Sequence, residues 1–567
     1  MSKKKTKQQN TAAVPATPVA AAAPAIKKTA AFSIPYPLLW LVLSTLAVYF
    51  PTFYFKYTEL DDSIFIREFS EYNEDLQNLV VSFHRGLFNL KDTYYRPIFL
   101  DSMILNYQVS GTDILGYHIV NVLLHVLSVV LLYLLLKKLD VKALPAFILT
   151  LVFAVHPVLS QAVAWIPGRN DTLLAIFTLP FLIFSIHYVR SGKLWMLALS
   201  GFFLLLAFFT KETAVFAAPV AFVLLVFMLQ QKWLDKRMVS QYGVWIACFI
   251  IWFIFRSRAT TEGNLAIGKL LSEMAYRLPL IVQYTGKIFL PFNLSVLPLQ
   301  EDTTYYYGII AIVILAVIIY LNKERNLRLI LSSLAVFLLF LIPVLLIPAD
   351  INKETFEHRL YLPMIGMLLL LSQTVLFKNT LSEKNLLAAG IGVAAILAFL
   401  NIRHQKDFTD PHTFWASAVA TSPHSSFANM MLGARENDLK KSDTLFRRAY
   451  QLDPKQKYLN YYYGVMLQTE DSVLQSEKYL LAEKKISDYV ECDFYLAHVA
   501  LERKDLNAAI GYLESYLKRV PGNKPAHNNL LLLYMQTQQA DKAKAEAREM
   551  LQHGMEVPQA FRAQLGV

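Results

Sequence analysis

Two adjacent carboxylates, Asp61 and Asp62, stand a few residues beyond the first hydrophobic segment, in the stretch YTELDDSIFIREF. A carboxylate beside hydrocarbon costs free energy unless something uses it. Facing an outer cavity, one of the pair would take a proton from an acceptor hydroxyl or organise a metal at a donor phosphate. The same residues would serve equally as an N-cap for Ser63 to Phe69, where Asp is favoured. Other polar residues break apolar runs in a similar way. Arg96, in YYRPIF, could bind a lipid phosphate. Arg169 and Asp171 end the stretch AVHPVLSQAVAWIPGRND, where Asp171 could simply cap the next helix. Lys211 and Glu212, in TKET, could pair with each other at a surface turn, and Lys211 is also placed to meet an anion. Glu357, His358 and Arg359 open a further run in ETFEHRLYLPM, where cations can hold a phosphate at a membrane face. His118, Asn121 and His125, three and four residues apart, share a helix face. That spacing fits an interhelical hydrogen-bond network better than metal ligation.

The elements that must position these groups are membrane helices. Of 567 residues, 55% are hydrophobic and 17% charged, a composition that excludes an ordinary soluble domain. Apolar runs dominate from about residue 36 to 401, and after Arg403 the chain turns polar and helical in pattern. The fold class is therefore all-α: a polytopic membrane helix bundle over 34–402, followed by a soluble helical domain over 403–567. Residues 1–33, rich in Ala, Pro and Lys, read as a disordered basic cytoplasmic tail without a cleavable signal peptide. The net charge of +11 reflects the tail lysines (Lys3, Lys4, Lys5, Lys7, Lys27, Lys28) and short basic loops, the signature of topology and not of nucleic-acid binding. Cys248 and Cys492 fall in different parts of the chain, which leaves no disulfide framework or cysteine metal cluster.

Threading with basic loops inside gives roughly eleven crossings. The stretch Met274 to Leu299, with Pro279, Pro291 and Pro298, is expected to dip into the outer face without crossing. This puts Asp61, Asp62, Arg96, Arg169, Asp171, Lys211, Glu212, Glu357, His358 and Arg359 on one outer side, together with the C-terminal domain.

After Trp415 the chain falls into helix pairs of about 34 residues. The clearest is DLNAAIGYLESYLKRVPGN, Asp505 to Asn523. There Ala509 fills a small slot, Tyr512 and Leu513 supply the apolar face, and Pro521 ends the second helix. Ser422-Pro423 and Asp453-Pro454 mark similar endings. Three to four such repeats would stack into an α-solenoid whose concave face binds protein or peptide.

Taken in order, these segments resemble the transmembrane and tetratricopeptide-repeat glycosyltransferases, the family that includes animal O-mannosyltransferases and bacterial relatives. The resemblance rests on Asp61-Asp62, YYRP, GYHIVNVLLH, AVHPV with VAW and Arg169-x-Asp171, Lys211-Glu212, EHRLYLP and the terminal repeats. It implies the C-type glycosyltransferase fold and inverting transfer from a polyprenyl-phosphate-linked sugar to Ser or Thr hydroxyls of exported proteins. Asp61 would be the base, with Asp62 the second candidate. Arg96, Lys211, His358 and Arg359 would hold the lipid phosphate, with Glu357, Arg169 and Asp171 shaping the site. A divalent cation, Mg or Mn, would fall to Asp61, Asp62 or Asp171. The repeats would present the acceptor protein on the periplasmic side of a bacterial inner membrane. Two departures stand out: Gln161 where relatives often have Glu, and His358 where animal members often have Arg. The rival readings are transfer to a lipid or polysaccharide, and a non-catalytic scaffold for envelope assembly.

Overall fold

Apolar runs fold as helices here because hydrocarbon offers no partner for a free backbone group, and polar caps mark where each helix begins. Asp113 accepts the Leu115 amide at the start of Ile114–Lys138, which closes on Lys137 and Lys138. Asp235 opens Lys236–Ala259 and Ser382 opens Glu383–Gln405 in the same manner. The computed structural model describes residues 1–2, 4–6, 34–87, 94–260, 267–347, 353–378, 381–469 and 472–565. Residues 7–33 of the tail expected to be disordered lie outside the described residues. Among the described residues the chain is helical throughout, apart from an isolated bridge between Leu299 and Glu354.

Among the described residues six helices are long and apolar enough to cross a membrane: Pro37–Tyr54, Ile114–Lys138, Ile166–Ser191, Lys236–Ala259, Leu327–Leu345 and Glu383–Phe408. A seventh forms if Ala143–Val155 and Pro157–Ala164, bent by 50°, count as one. Leu194–Thr210, Glu212–Met228 and Tyr306–Tyr320 are apolar but shorter. Hydropathy thus counts about eleven apolar runs where the chain builds fewer continuous helices. The reason is local. Pro157 breaks the run that begins at Ala143, Glu212–Met228 passes through 3-10 and π turns, and Pro363–Leu371 is only 9 residues long. Met274 to Leu299 resolves into the end of Ile267–Arg277, the helix Leu280–Phe289 and an irregular tail, too short to cross. It is held tightly: a Cβ on Gly286 would come within 2.6 Å of the Gly308 backbone nitrogen, where Leu280–Phe289 crosses Tyr306–Tyr320.

The C-terminal part is four helical hairpins: Ser426–Gly433 with Leu439–Leu452, Leu459–Thr469 with Val473–Ser487, Glu491–Glu502 with Leu506–Leu517, and Lys524–Gln536 with Ala540–Gln552. Their first helices start 33, 32 and 33 residues apart, the spacing of tetratricopeptide repeats. Ala509 and Leu513 are buried as the pattern requires. The array is not tethered by a free linker. The Lys56 amide donates to Thr409 O (2.7 Å), Ser295 Oγ and Thr421 Oγ1 lie 2.6 Å apart, and Ser422 Oγ donates to Leu297 O (2.7 Å). One apolar core runs through Phe55, Leu60, Trp165, Val296 and Phe356 into Phe408, Trp415 and Met431.

Candidate functional site

Beneath the array lies a cavity of about 690 Å³. Its wall takes Asp61 from the first outer loop, Arg96 from the start of the helix Pro97–Ser110, and Asp171 from the first turn of Arg169–Ser191. Lys211 and Glu212 come from the end of Leu194–Thr210, and His358 and Arg359 from a single 3-10 turn, Glu357–Leu360. Chain breaks put these groups there: each sits where an apolar helix ends and backbone direction changes. Much of the remaining lining is apolar, with Phe65, Trp165, Leu174, Phe216, Trp252, Phe340 and Leu346. The cavity is amphipathic and carries one more cation than carboxylate.

The two aspartates part company. Asp62 is buried: its Oδ2 accepts the Thr58 amide (2.6 Å) and hydroxyl (2.9 Å), and its Oδ1 accepts the Ser63 amide (2.9 Å). It ties the loop from Thr58 to Ser63 together and does not cap the helix that follows. Asp61 faces the cavity, and among the described residues no hydrogen bond reaches its carboxylate. Burial, then the neighbouring Asp62 and Glu354 carboxylates, push Asp61 up to about 6, with Arg96 pulling it back. Burial also pushes Asp62 up to about 6, against its hydrogen bonds from Thr58 and Ser63.

The cations are tethered from behind. Arg96 Nε meets Glu212 Oε2 at 3.0 Å, and Glu212 Oε1 takes the Tyr95 amide at 2.6 Å. Lys211 Nζ lies 2.7 and 2.8 Å from the two oxygens of Asp171. Lys211 and Glu212 are therefore not paired with each other, but each crosses to another helix. Burial lowers the Lys211 ammonium's proton affinity, and Asp171 works against that. Arg359 donates to Glu354 O (2.9 Å) and lies over the Phe356 ring. Among the described residues it has no carboxylate partner.

Gln161 organises the far corner. Its Oε1 accepts the amides of Glu357 (2.9 Å) and His358 (3.2 Å), while its Nε2 donates to Val296 O (2.8 Å). That same Oε1 lies 3.1 Å from His358 Nδ1, so Nδ1 carries the proton and Nε2 is left as an acceptor, 3.9 Å from Asp171. Burial, with Lys211, Arg359 and Arg96 nearby, holds His358 well below the ordinary histidine range, so it is neutral. The ring packs against both Phe356 and Trp165, which also stack on each other.

Two residues expected at the site stand behind it. Arg169 is fully buried and donates to Asn121 Oδ1 (2.7 Å), Asn106 Oδ1 (2.7 Å), Tyr117 O (3.0 Å) and Ser102 O (3.2 Å). Asn121 thus belongs to a structural network, whereas His125 bonds Tyr361 and Ala154 O instead. Glu357 is enclosed with Lys287 Nζ at 2.6 Å and the Ser295 amide at 2.8 Å, with His404 Nε2 at 3.6 Å. Burial opposes its charge, yet Lys287 and His404 hold it below the usual glutamate range. Trp165 falls in the VAW motif, whereas Lys287 and Arg256 were not singled out from sequence. Only Arg256 had a signal, a cation at the outer end of an apolar helix.

Comparison with known proteins places residues 99–255 on the family model described as dolichyl-phosphate-mannose-protein mannosyltransferase. That stretch holds Asp171, Lys211 and Glu212 but neither Asp61 nor His358-Arg359. The protein O-mannosyl-transferase F38B6.6 of Caenorhabditis elegans is 25% identical over 389 residues, 64% of this chain and 54% of that protein. The protein O-mannosyl-transferase TMTC1 of Mus musculus is 37% identical over 143 residues, 23% of this chain and 15% of that protein. The chain thus spans about half the length of the nematode relative, and less of the mouse one. Among solved structures, a chain of the APC/C hetero-tetramer Cut9-Hcn1 aligns over 94% of this chain and 97% of its own at 12% identity. Its TM-score is 0.26, too low to carry an argument.

Proposed function

We propose, on the premise that this multi-pass membrane chain is a relative of the protein O-mannosyl-transferases, that it moves a sugar from a polyprenyl-phosphate-linked donor to Ser or Thr hydroxyls of protein. The observation that carries this reading is the amphipathic cavity, whose lining brings together Arg96, Lys211, Arg359 and the Asp61 carboxylate, which no hydrogen bond reaches among the described residues. A prenyl chain suits the apolar wall, and a phosphate suits the cations. Asp61 takes the proton from the acceptor hydroxyl as its oxygen attacks the anomeric carbon. The carbon–oxygen bond to phosphate breaks on the opposite side, and configuration inverts. The electron pair stays on the phosphate, whose charge Arg96, Lys211 and Arg359 stabilise. His358 Nε2 offers a further acceptor for a sugar or acceptor hydroxyl.

A divalent cation fits this donor set poorly. Both oxygens of Asp171 are engaged by Lys211, Asp62 is spent on its own turn, and no group of three or more His, Cys, Asp or Glu side chains is arranged for a metal among the described residues. No step is therefore routed through one. By the positive-inside rule the N-terminus is cytoplasmic, and the cavity and repeats face the periplasm of a bacterial inner membrane. The repeat array presents the protein acceptor. Asp61→Asn in cells tests the reading. Mannosylated or otherwise glycosylated peptides of exported proteins should disappear while the protein remains inserted, and unchanged glycopeptides would remove Asp61 as the base.

A further inference from the structure

The turn that carries Asp61 is held in an unfavourable shape by something outside the membrane body. Asp62 N donates to Leu60 O (2.9 Å) across Asp61, whose φ is 64°, so Asp61 is the apex of a γ-turn of the rare positive-φ kind. Glu59, two residues earlier, is also in the left-handed region, at φ 58°. Such conformations in non-glycine residues persist only where the surroundings over-determine them. Three pins do so. Asp62 closes the turn on Thr58 and Ser63. Trp165 Nε1 donates to Leu60 O (2.7 Å). The third comes from the repeat array: Arg435 Nε (2.9 Å) and Nη2 both donate to Glu59 Oε2.

Arg435 is itself fixed. It follows the first repeat helix, its Nη1 donates to Met431 O (2.7 Å), and its guanidinium lies 5.7 Å over the ring of Trp415, which is fully buried. The bland alternative is a half-exposed ion pair of little consequence. Against it, the pair sits on one of two strained positions separated by a single residue, and among the described residues the Asp61 carboxylate has no hydrogen bond of its own to set its position. Its placement is inherited from the backbone.

We propose that Arg435 is a positioning residue for the candidate base: acting through Glu59, it holds the γ-turn that aims the Asp61 carboxylate into the cavity. The repeat array then completes the transfer site as well as presenting the acceptor. This rests on the transfer reading above.

The experiment is a double-mutant cycle of Glu59→Gln and Arg435→Gln in the full-length protein in detergent. Dolichyl-phosphate mannose serves as donor probe and a Ser/Thr-rich peptide as acceptor, with Asp61→Asn alongside. A misplacement of about 1 Å costs on the order of 100-fold in rate, so each single variant should lose roughly 10- to 100-fold in kcat with acceptor KM unchanged. The double variant should lose no more than the worse single one. Amide exchange over residues 58–65 should rise in both single variants. Raised acceptor KM with unchanged kcat would make Arg435 a docking residue and overturn the proposal, as would unchanged exchange. If Arg435→Gln fails to fold, Glu59→Gln, which leaves the array intact, decides the matter by the same two readouts. Transfer that survives Asp61→Asn removes Asp61 as the base and overturns the proposal while leaving the transfer reading intact, whereas no transfer by the unaltered protein sinks the transfer reading, and the exchange measurement then still tests the clamp.

Discussion

Transfer should depend on pH through the Asp61 carboxylate. With that group pushed up to about 6, the basic form makes up about nine-tenths of molecules at pH 7, half at pH 6 and one-tenth at pH 5. A base must be ionised to accept a proton, so kcat falls as pH falls, by about ninefold from pH 7 to pH 5. His358 cannot supply this limb, because it is held neutral well below its ordinary range. The neighbours give the test its direction. Glu354 raises Asp61 and Arg96 lowers it, whereas the groups acting on Asp62 are Thr58, Ser63 and Glu59. Glu354→Gln should therefore move the limb to lower pH and Arg96→Gln to higher pH, each by about one unit or less. The assay is single-turnover transfer from dolichyl-phosphate mannose to a peptide across pH 4.5–8, read for the position of the limb and not its height, since Arg96→Gln also weakens donor binding. A flat profile between pH 5 and 7, or a limb that neither variant moves, refutes Asp61 as the base.

Arg359→Gln should raise the donor KM about 10- to 100-fold, the worth of a lost charge-assisted hydrogen bond, with the melting temperature unchanged because no carboxylate is orphaned. Arg169→Met should behave oppositely, costing about 3 kcal/mol in detergent melting as the Asn106 and Asn121 oxygens lose their donor, while folded molecules keep their KM. Lys287→Met strands Glu357 in a site where neither side chain is more than 1% exposed; about 3–5 kcal/mol of stability should go, and Lys287→Met with Glu357→Gln should restore part of it.

How much of this could be read beforehand depends on whether the deciding contact is local. The repeat array follows from a period within each hairpin, and its observed spacing of 33, 32 and 33 residues needs no distant partner. Arg169 and Asp171 lie two apart at a helix start, and residues two apart do not share a face. Only one of them could line the cavity, which the sequence implies once the helix is drawn. Asp61 and Asp62 offer no such rule. Their separation into cavity carboxylate and loop tie is set by a γ-turn stabilised from Trp165 and Arg435, residues far along the chain. The same holds for Glu357, whose neutralising partner Lys287 lies in the dipping segment. The continuity of the apolar helices was not legible for another reason: apolar length is visible in sequence, but a 50° bend at Pro157 or a π turn over Val223–Met228 is a property of the backbone.

The apolar core joining the outer loop to the first repeat bears on how such a chain can be altered. Phe408, Phe414, Trp415 and Met431 share one core with Phe55, Leu60 and Trp165, whereas Ala509, Leu513, Leu530 and Ala547 belong to a separate core at the distal end. The array is therefore graded. Its near end is a structural part of the membrane body and cannot be exchanged without uncovering the loop that bears Asp61. Its far end is a replaceable extension, free to be lengthened, shortened or fused to another module while the cavity wall stays as it is.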